Sequence, residues 1–236
     1  MKLVIGDTVL PVRLVRTDRR KTVSISLEDG AIRVLAPKRL SERRIQEIVN
    51  NKSNWIGKRL KDQAAAPKIQ SKKFADGETF SYLGKHYTFE RRHDIQSSVK
   101  LKSGRLISTL DSAVSEKEAI EIHRAQVTDW YRDRATDVLI QKTTQHGSAL
   151  KLTPSAINIK NYKARWGSCS INGEISYNWK IMMAPLRIID YVVIHELSHL
   201  VHHDHSDKFW KQVGTSFPDY RECRAWLRKF GQTLMF

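Results

Sequence analysis

Polar and hydrophobic residues alternate at every second position in several stretches of the first half of the chain. Residues 22–36 show this alternation on both sides of Asp29-Gly30, a dipeptide that favours tight turns, so they predict a β-hairpin. After Pro37, apolar residues at helical spacing as far as Leu60 predict one helix, with Ser41 as its N-cap. Four shorter alternating runs predict two more strand pairs, at 79–82, 86–90, 98–101 and 106–109.

The apolar residues change to a helical period in the second half of the chain. Ser115 and Glu118 form a capping box, which predicts the start of a long helix that runs to about Thr144. Gly147 is expected to end this element, and Pro185 predicts the first turn of a later helix. Two strands are predicted between these helices, at 156–160 and 174–178.

The domain organisation follows from this change of period. Residues 1–112 are predicted to form a β-rich region of hairpins plus one helix, and residues 113–236 a second domain. Residues 62–73 contain an Ala-Ala-Ala-Pro stretch with little apolar periodicity, which predicts a linker. The predicted fold class is therefore α+β.

The candidate chemistry lies in residues 190–202, whose apolar positions predict a mostly buried helix. His195 and His199 are one helical turn apart, so both imidazoles leave the same face and are able to bind one divalent ion. Glu196 is adjacent to the first histidine and is well placed to reach a water molecule on that ion. This is the H-E-x-x-H motif of metal hydrolases, which supplies two ligands and one general base.

A catalytic zinc site needs a third protein ligand and an open position for water. His205 follows His199 at the spacing of the third histidine in the long metzincin pattern, and we prefer it to His202 and His203 as that ligand. The glycine of that pattern is replaced by His202 here, so a turn at 203–204 is expected to end the helix. Ser206 then predicts the cap of a further helix at 207–213.

Charge and composition bear on partners and compartment. The formal net charge is +16, which favours contact with polyanions such as nucleic acid, nucleotides or acidic protein, although the same charge also serves solubility. No apolar run is long enough to cross a bilayer, and the N-terminal apolar stretch is too short for a secretory signal. The two cysteines, Cys169 and Cys223, have no metal-binding or disulfide spacing. We therefore expect a cytoplasmic protein without a membrane partner.

Several further segments resemble the YgjP-like family of metallopeptidases, which is similar to the SprT-like zinc proteases. The resemblance is carried by Arg165-Trp166-Gly167-Ser168-Cys169, Gly173-Glu174-Ile175, Asn178-Trp179, Ala184-Pro185, the histidine motif through His205-Ser206, and Phe209-Trp210. It is specific from about residue 161 to 210, and the N-terminal hairpin supports it. The resemblance implies a zincin-like catalytic domain over 113–236, with a long support helix, a small sheet and an active-site helix. It also implies zinc bound by His195, His199 and His205, with Glu196 as catalytic acid and base.

Other residues near the motif are weaker candidates. Arg165 is able to polarise a carbonyl or bind a phosphate oxygen, or alternatively to anchor its loop to a carboxylate. Tyr177 and Asn178, at the end of a predicted strand, are candidate substrate or transition-state contacts. Cys169 is interpreted as a small buried hydrophobic residue rather than a participant in chemistry. The pair Phe209-Trp210 is expected in the core, and no site for an organic cofactor is predicted.

The favoured function is a zinc-dependent hydrolase, specifically a metallopeptidase, in which Glu196 takes a proton from the zinc-activated water. One alternative keeps the metal and changes the substrate to nucleotides, as in a phosphohydrolase resembling a nucleoside triphosphate pyrophosphatase. A second alternative is a nucleic-acid-binding protein with structural zinc. It is disfavoured because three histidines without thiolates suit an open site, and because it gives Glu196 no role.

Overall fold

The computed structural model describes residues 2–6, 8–18, 22–28, 30–65, 72–111 and 114–234, with the backbone alone for 62–65. The chain divides into two compact units, Met1–Ala66 and Pro67–Phe236. This division falls within the predicted linker, of which residues 66–71 lie outside the described part of the chain. The domain boundary placed between residues 112 and 113 falls inside the second unit. Within the described residues, three small mixed sheets and six α-helices confirm the predicted α+β class.

The first unit contains a four-stranded mixed sheet followed by two helices. Its strands are β1 (Lys2–Ile5), β2 (Thr8–Thr17), β3 (Ser24–Glu28) and β4 (Ala31–Pro37), in the spatial order β1-β2-β4-β3. The predicted hairpin is present as the antiparallel pair β3 and β4, and Gly30 in its turn has a φ of 73°. The pair β1 and β2 was not predicted.

The helix predicted after Ser41 is two helices. These are α1 (Glu42–Asn51), where the Ser41 side chain accepts from the Arg44 backbone N–H, and α2 (Ser53–Ala65). Lys52 separates them at the C-cap of α1. Apolar residues recur at the strand period in the sheet and at the helix period in both helices, so each element has one apolar face. These faces pack together in a common core. Its fully buried members include Ile32, Val34, Ile45, Val49 and Ile56.

The second unit begins with a sheet of the same connectivity. Its strands are β5 (Thr79–Tyr82), β6 (Lys85–His93), β7 (Ser98–Lys102) and β8 (Arg105–Leu110), in the order β5-β6-β8-β7 with a parallel central pair. All four were predicted to within a few residues. A helix of 35 residues, α3 (Glu116–Leu150), follows the sheet, and the predicted capping box of Ser115 and Glu118 is present at its start.

Helix α3 runs past Gly147, so the predicted end of this element is wrong. A side-chain carbon on Gly147 would lie 2.6 Å from the Leu152 carbonyl oxygen, which shows that the glycine permits close approach of the returning chain. The helix ends instead at Lys151, which is in the left-handed conformation with φ of 56°.

The remainder of the second unit is a small sheet and three helices. Its strands are β9 (Ala156–Lys160), β10 (Gly167–Cys169) and β11 (Glu174–Asn178), with β11 in the centre, and a 3₁₀ turn spans Trp179–Met183. The helices are α4 (Leu186–Ser198), α5 (Asp207–Ser216) and α6 (Tyr220–Phe230). Two expectations are corrected: the Gly167 segment forms an edge strand rather than a loop, and Pro185 precedes α4 as its N-cap residue. Helix α6 was not predicted. Among the described helices, none combines the length and the apolar character needed to cross a membrane.

Candidate metal centre

Helix α4 lies at the centre of the second unit and is buried on nearly every side. Its apolar residues Ile189, Val193 and Leu197 are fully buried, and it packs against α3, α5, α6 and β10. Such all-round burial holds the polar residues of the helix in fixed positions. The helix ends at Ser198, earlier than the turn expected at 203–204, and His199 is its C-cap residue.

The structure brings the three predicted histidines together. The Nε2 atoms of His195 and His205 are 3.2 Å apart, and one ligand atom from each of His195, His199 and His205 lies within 4.8 Å of the others. Two nitrogens bound tetrahedrally to zinc at about 2.0–2.1 Å would be separated by about 3.3 Å, so this donor set fits the ion. His202 and His203, the less favoured alternatives, are not members of the cluster.

Neighbouring groups orient the histidine rings. The Nδ1 atom of His199 is 2.9 Å from the His202 carbonyl oxygen; as the donor in this bond it leaves Nε2 free to face a metal. Phe209 stacks on His199 at 4.4 Å between ring centroids, and Trp210 stacks on His205 at 5.6 Å. Phe209 is fully buried, as predicted, while half-buried Trp210 packs against the core and forms one wall of the cluster.

Burial keeps the inner histidines neutral, the form that binds metal. The pKa of His195 is lowered to about 3, chiefly by burial and then by the nearby His199 and His205. Burial also lowers the pKa of His199. The Nδ1 atom of His195 is buried without a hydrogen-bond partner among the described residues. An unsatisfied buried nitrogen of this kind is rare in protein interiors.

The Glu196 carboxylate occupies a recess formed by β10. Its side chain is 5% exposed, and it makes no hydrogen bond or ion pair with any described residue. A side-chain carbon on Gly167 would lie only 2.5 Å from Glu196 Oε1, so the absence of a side chain at Gly167 creates this recess. Burial raises the pKa of Glu196 to about 8, against the opposing charge of Arg165.

The structure separates the three weaker candidates. Arg165 is exposed, and its guanidinium carbon lies 5.2 Å from the centroid of the Tyr162 ring. Tyr177 is fully buried, with its hydroxyl 3.0 Å from that of Thr143. Asn178 is also buried, and its Nδ2 donates to the carbonyl oxygens of Tyr162 and Arg165. Tyr177 and Asn178 therefore hold the sheet and loop in place and present no free group to a substrate.

Two features of the site had no clear signal in the sequence. Tyr162 holds the loop before β10 through its hydroxyl, 2.9 Å from Ser168 Oγ. Arg224 lies on the unpredicted α6, with its guanidinium carbon 4.6 Å from the centroid of the Trp210 ring. Cys169 is half-buried and forms no disulfide, and its thiol pKa is raised by burial and then by Glu196.

Comparison with known proteins adds two findings. The family model described as YgjP-like, metallopeptidase domain, matches residues 21–230. A solved structure, the metallopeptidase zymogen abylysin of Pyrococcus abyssi, is similar with 22% sequence identity and a TM-score of 0.37, over 42% of this chain and 99% of that one. No curated protein matches the sequence.

Proposed function

Because the chain belongs to the YgjP-like metallopeptidase family, whose model spans residues 21–230, we propose that it is a zinc-dependent peptidase with Glu196 as its general base. One observation carries the proposal. An unpaired, buried carboxylate adjoins a cluster of three imidazoles whose ligand atoms lie within 4.8 Å of one another. A structural metal site needs the cluster, but it does not need the carboxylate.

The residues that would hold the ion are His195, His199 and His205, all as neutral imidazoles. Zinc at such a site lowers the pKa of a bound water and polarises a carbonyl group. The choice of zinc rests on the donor set, because three imidazole nitrogens suit this borderline-soft ion better than magnesium or calcium, which prefer oxygen ligands.

Glu196 would accept the proton of the attacking water and later deliver it to the nitrogen of the departing amine. Its raised pKa, about 8 without bound cations, means that the carboxyl group holds a proton readily. Positive charge placed beside it favours the ionised form, which is the form that accepts a proton. The recess at Gly167 fixes the carboxylate because a flexible side chain has no room there to turn away.

The test is an assay of the zinc-loaded protein against unfolded protein and, separately, against nucleoside triphosphates. We expect cleavage of the unfolded protein, which Glu196→Gln lowers by about 10² to 10⁴-fold while zinc content stays at about one ion per chain. A His195→Ala/His199→Ala variant should bind no zinc at this site. Hydrolysis of the triphosphates alone would replace the peptidase proposal with the phosphohydrolase alternative.

A further inference from the structure

Exposed basic side chains lie near the candidate metal centre. On the β10 side, exposed Arg165 is close enough to Glu196 to act on it electrostatically. Its guanidinium lies over the Tyr162 ring, and it forms no ion pair with a described residue. Arg165 is therefore held at the edge of the site with its charge available.

A second arginine, Arg224, lies on the α6 side of the site. The guanidinium of Arg224 lies over Trp210, whose ring stacks in turn on His205, and its charge acts on His195. It too has no carboxylate partner in the described part of the chain. Stacking on an aromatic ring orients a guanidinium without neutralising it.

A recess of about 380 Å³ adds further positive charge beside the histidine loop. It is lined by His202, Lys208, Lys211, Gln212, Thr215 and Ser216. None of these lining residues is acidic, and one of them, His202, supplies the carbonyl that binds His199. The recess is thus large enough for one side chain, and two lysines contribute to its lining, although most of the lining surface comes from carbon atoms.

The carboxylates on the neighbouring segments offset only part of this positive charge. Asp204 accepts from the Ser206 backbone N–H at 3.2 Å. Asp219 and Glu222 pair with Arg187 at 2.6 and 2.9 Å. Asp207, in the first turn of α5, has no ion pair with any described residue. The charges that remain unpaired around the site are therefore predominantly positive.

We propose that this centre selects peptides with acidic side chains near the scissile bond, bound by Arg165 and by Arg224 and, at the recess, by Lys208 and Lys211. The inference rests on the proposed peptidase function for the nature of the substrate. Complementary charge raises both the encounter rate and the selectivity of binding, and it weakens as salt screens the charges.

Binding is measured first, so that the result does not depend on catalysis. The zinc-loaded Glu196→Gln protein is titrated with two fluorescent decapeptides that differ only in glutamate or glutamine at two positions on each side of the centre. We expect the glutamate peptide to bind more tightly at low salt, by roughly tenfold for several exposed charge pairs together, and the difference to shrink as salt rises. Equal affinity for the two peptides would overturn the proposal.

Substitutions then assign the preference to residues. Arg165→Gln and Arg224→Gln should each reduce the preference for glutamate about two- to fivefold, whereas Arg224→Lys should retain most of it. Arg228→Gln is the matched control. Arg228 lies one turn after Arg224 on α6 and forms no ion pair with a described residue, so the substitution removes one equivalent positive charge. A preference that survives both arginine-to-glutamine substitutions unchanged would contradict the assignment.

Two further measurements separate this inference from its alternatives. In the first, a single-stranded oligonucleotide of matched charge and the unlabelled glutamate peptide each compete with the fluorescent peptide. If the oligonucleotide displaces it at the lower concentration, the ligand is a nucleic acid and the proposal is overturned. Wild-type cleavage of both peptides at equal kcat/KM would also overturn it, while leaving the peptidase function intact. Tight, charge-dependent binding without any cleavage would instead refute the peptidase function and leave the acidic selectivity standing.

Discussion

Helix α4 has one carboxylate near its middle and another near its end, and their surroundings differ. Asp190 is partly buried and has two partners on α3, Lys142 Nζ at 2.9 Å and His146 Nε2 at 2.8 Å. Glu196, six residues later, is more deeply buried and forms no ion pair or hydrogen bond with a described residue. The same helix therefore contains a paired acid and an unpaired acid.

We interpret Asp190 as a stabilising residue and Glu196 as a functional one. A buried carboxylate without partners costs free energy, because it loses its hydration and gains nothing in return. A protein retains such a group where the chemistry requires it, and perturbed acids in clefts are typical of active sites. The carboxylate of Asp190 instead links two helices that form the support of the metal centre.

The largest expected difference is in catalysis. Glu196→Gln should lower peptide hydrolysis by about 10² to 10⁴-fold, since a positioned acid and base contributes that much and an amide cannot accept the proton of water. Asp190→Asn, a chemically identical change on the same helix, should leave the rate close to that of the wild type. Rates and zinc content are measured on the same preparations. A glutamine variant with full activity would refute the role assigned to Glu196.

The second expected difference concerns the recess that holds Glu196. In Gly167→Ala the new methyl group would start 2.5 Å from Glu196 Oε1, so the carboxylate must move. We expect turnover to fall about 10- to 100-fold from this displacement. Overpacking should also lower the free energy of unfolding by about 1–3 kcal/mol.

Gly214→Ala in α5 is the control for that experiment. Its methyl group would meet Tyr220 Cε1 at 3.2 Å, a contact that a small shift relieves, and alanine favours the helix by about 1 kcal/mol. Activity and thermal stability should therefore change little. If Gly167→Ala behaves like Gly214→Ala, the carboxylate does not depend on the β10 recess.

The histidine cluster was within reach of sequence reasoning because its geometry is mostly local. His195 and His199 share a face by helix periodicity, and His205 follows by a spacing that allows the chain to fold back. Gly167 approaches the active-site helix closely from strand β10, which is distant from that helix in sequence. The identity of the atom it approaches, Glu196 Oε1, depends on tertiary packing and has no sequence signal.

Tertiary packing also explains where the structure differs from the expectation for Gly147 and where it buries two candidate contacts. Gly147 was interpreted as a helix end because glycine is a weak helix former, but the close Leu152 carbonyl makes it necessary within α3. Tyr177 and Asn178 were proposed as substrate contacts because they end a strand beside the active-site helix, yet both side chains are covered by the support helix and the preceding loop. Segments that are distant in sequence cover these side chains, and the alternation of residues along one strand does not predict which of its faces such segments will cover.

A third expected difference is in the stability of the metal-free protein. The pKa of Glu196 is raised from 4.5 to about 8, so the folded state holds a proton that the unfolded state has released between these values. The stabilising contribution of that proton is complete below pH 4.5 and is lost as pH rises toward 8, by up to about 1.4 kcal/mol per pH unit. Glu196→Gln removes this dependence and should be more stable near pH 8, by about 1–3 kcal/mol. The free energy of unfolding of both proteins is measured with denaturant at several pH values in the presence of a chelator. If it varies with pH in the same way for the wild type and for Glu196→Gln, the unpaired state of Glu196 is contradicted.

The smallest expected effect is at Asp190, where the pair rather than the single group is tested. Asp190→Asn keeps the shape of the side chain but removes the charge that attracts Lys142, so we expect a loss of about 1 kcal/mol and a fall in Tm of about 2–4 °C. Lys142→Met alone should cost a similar amount, since it leaves the carboxylate with His146 as its remaining partner. If the ion pair is the cause, the double variant should lose less than the sum of the two single losses, by about 0.5 kcal/mol or more. Strict additivity would mean that Asp190 and Lys142 act separately, and the contrast with Glu196 would then rest on burial rather than on pairing.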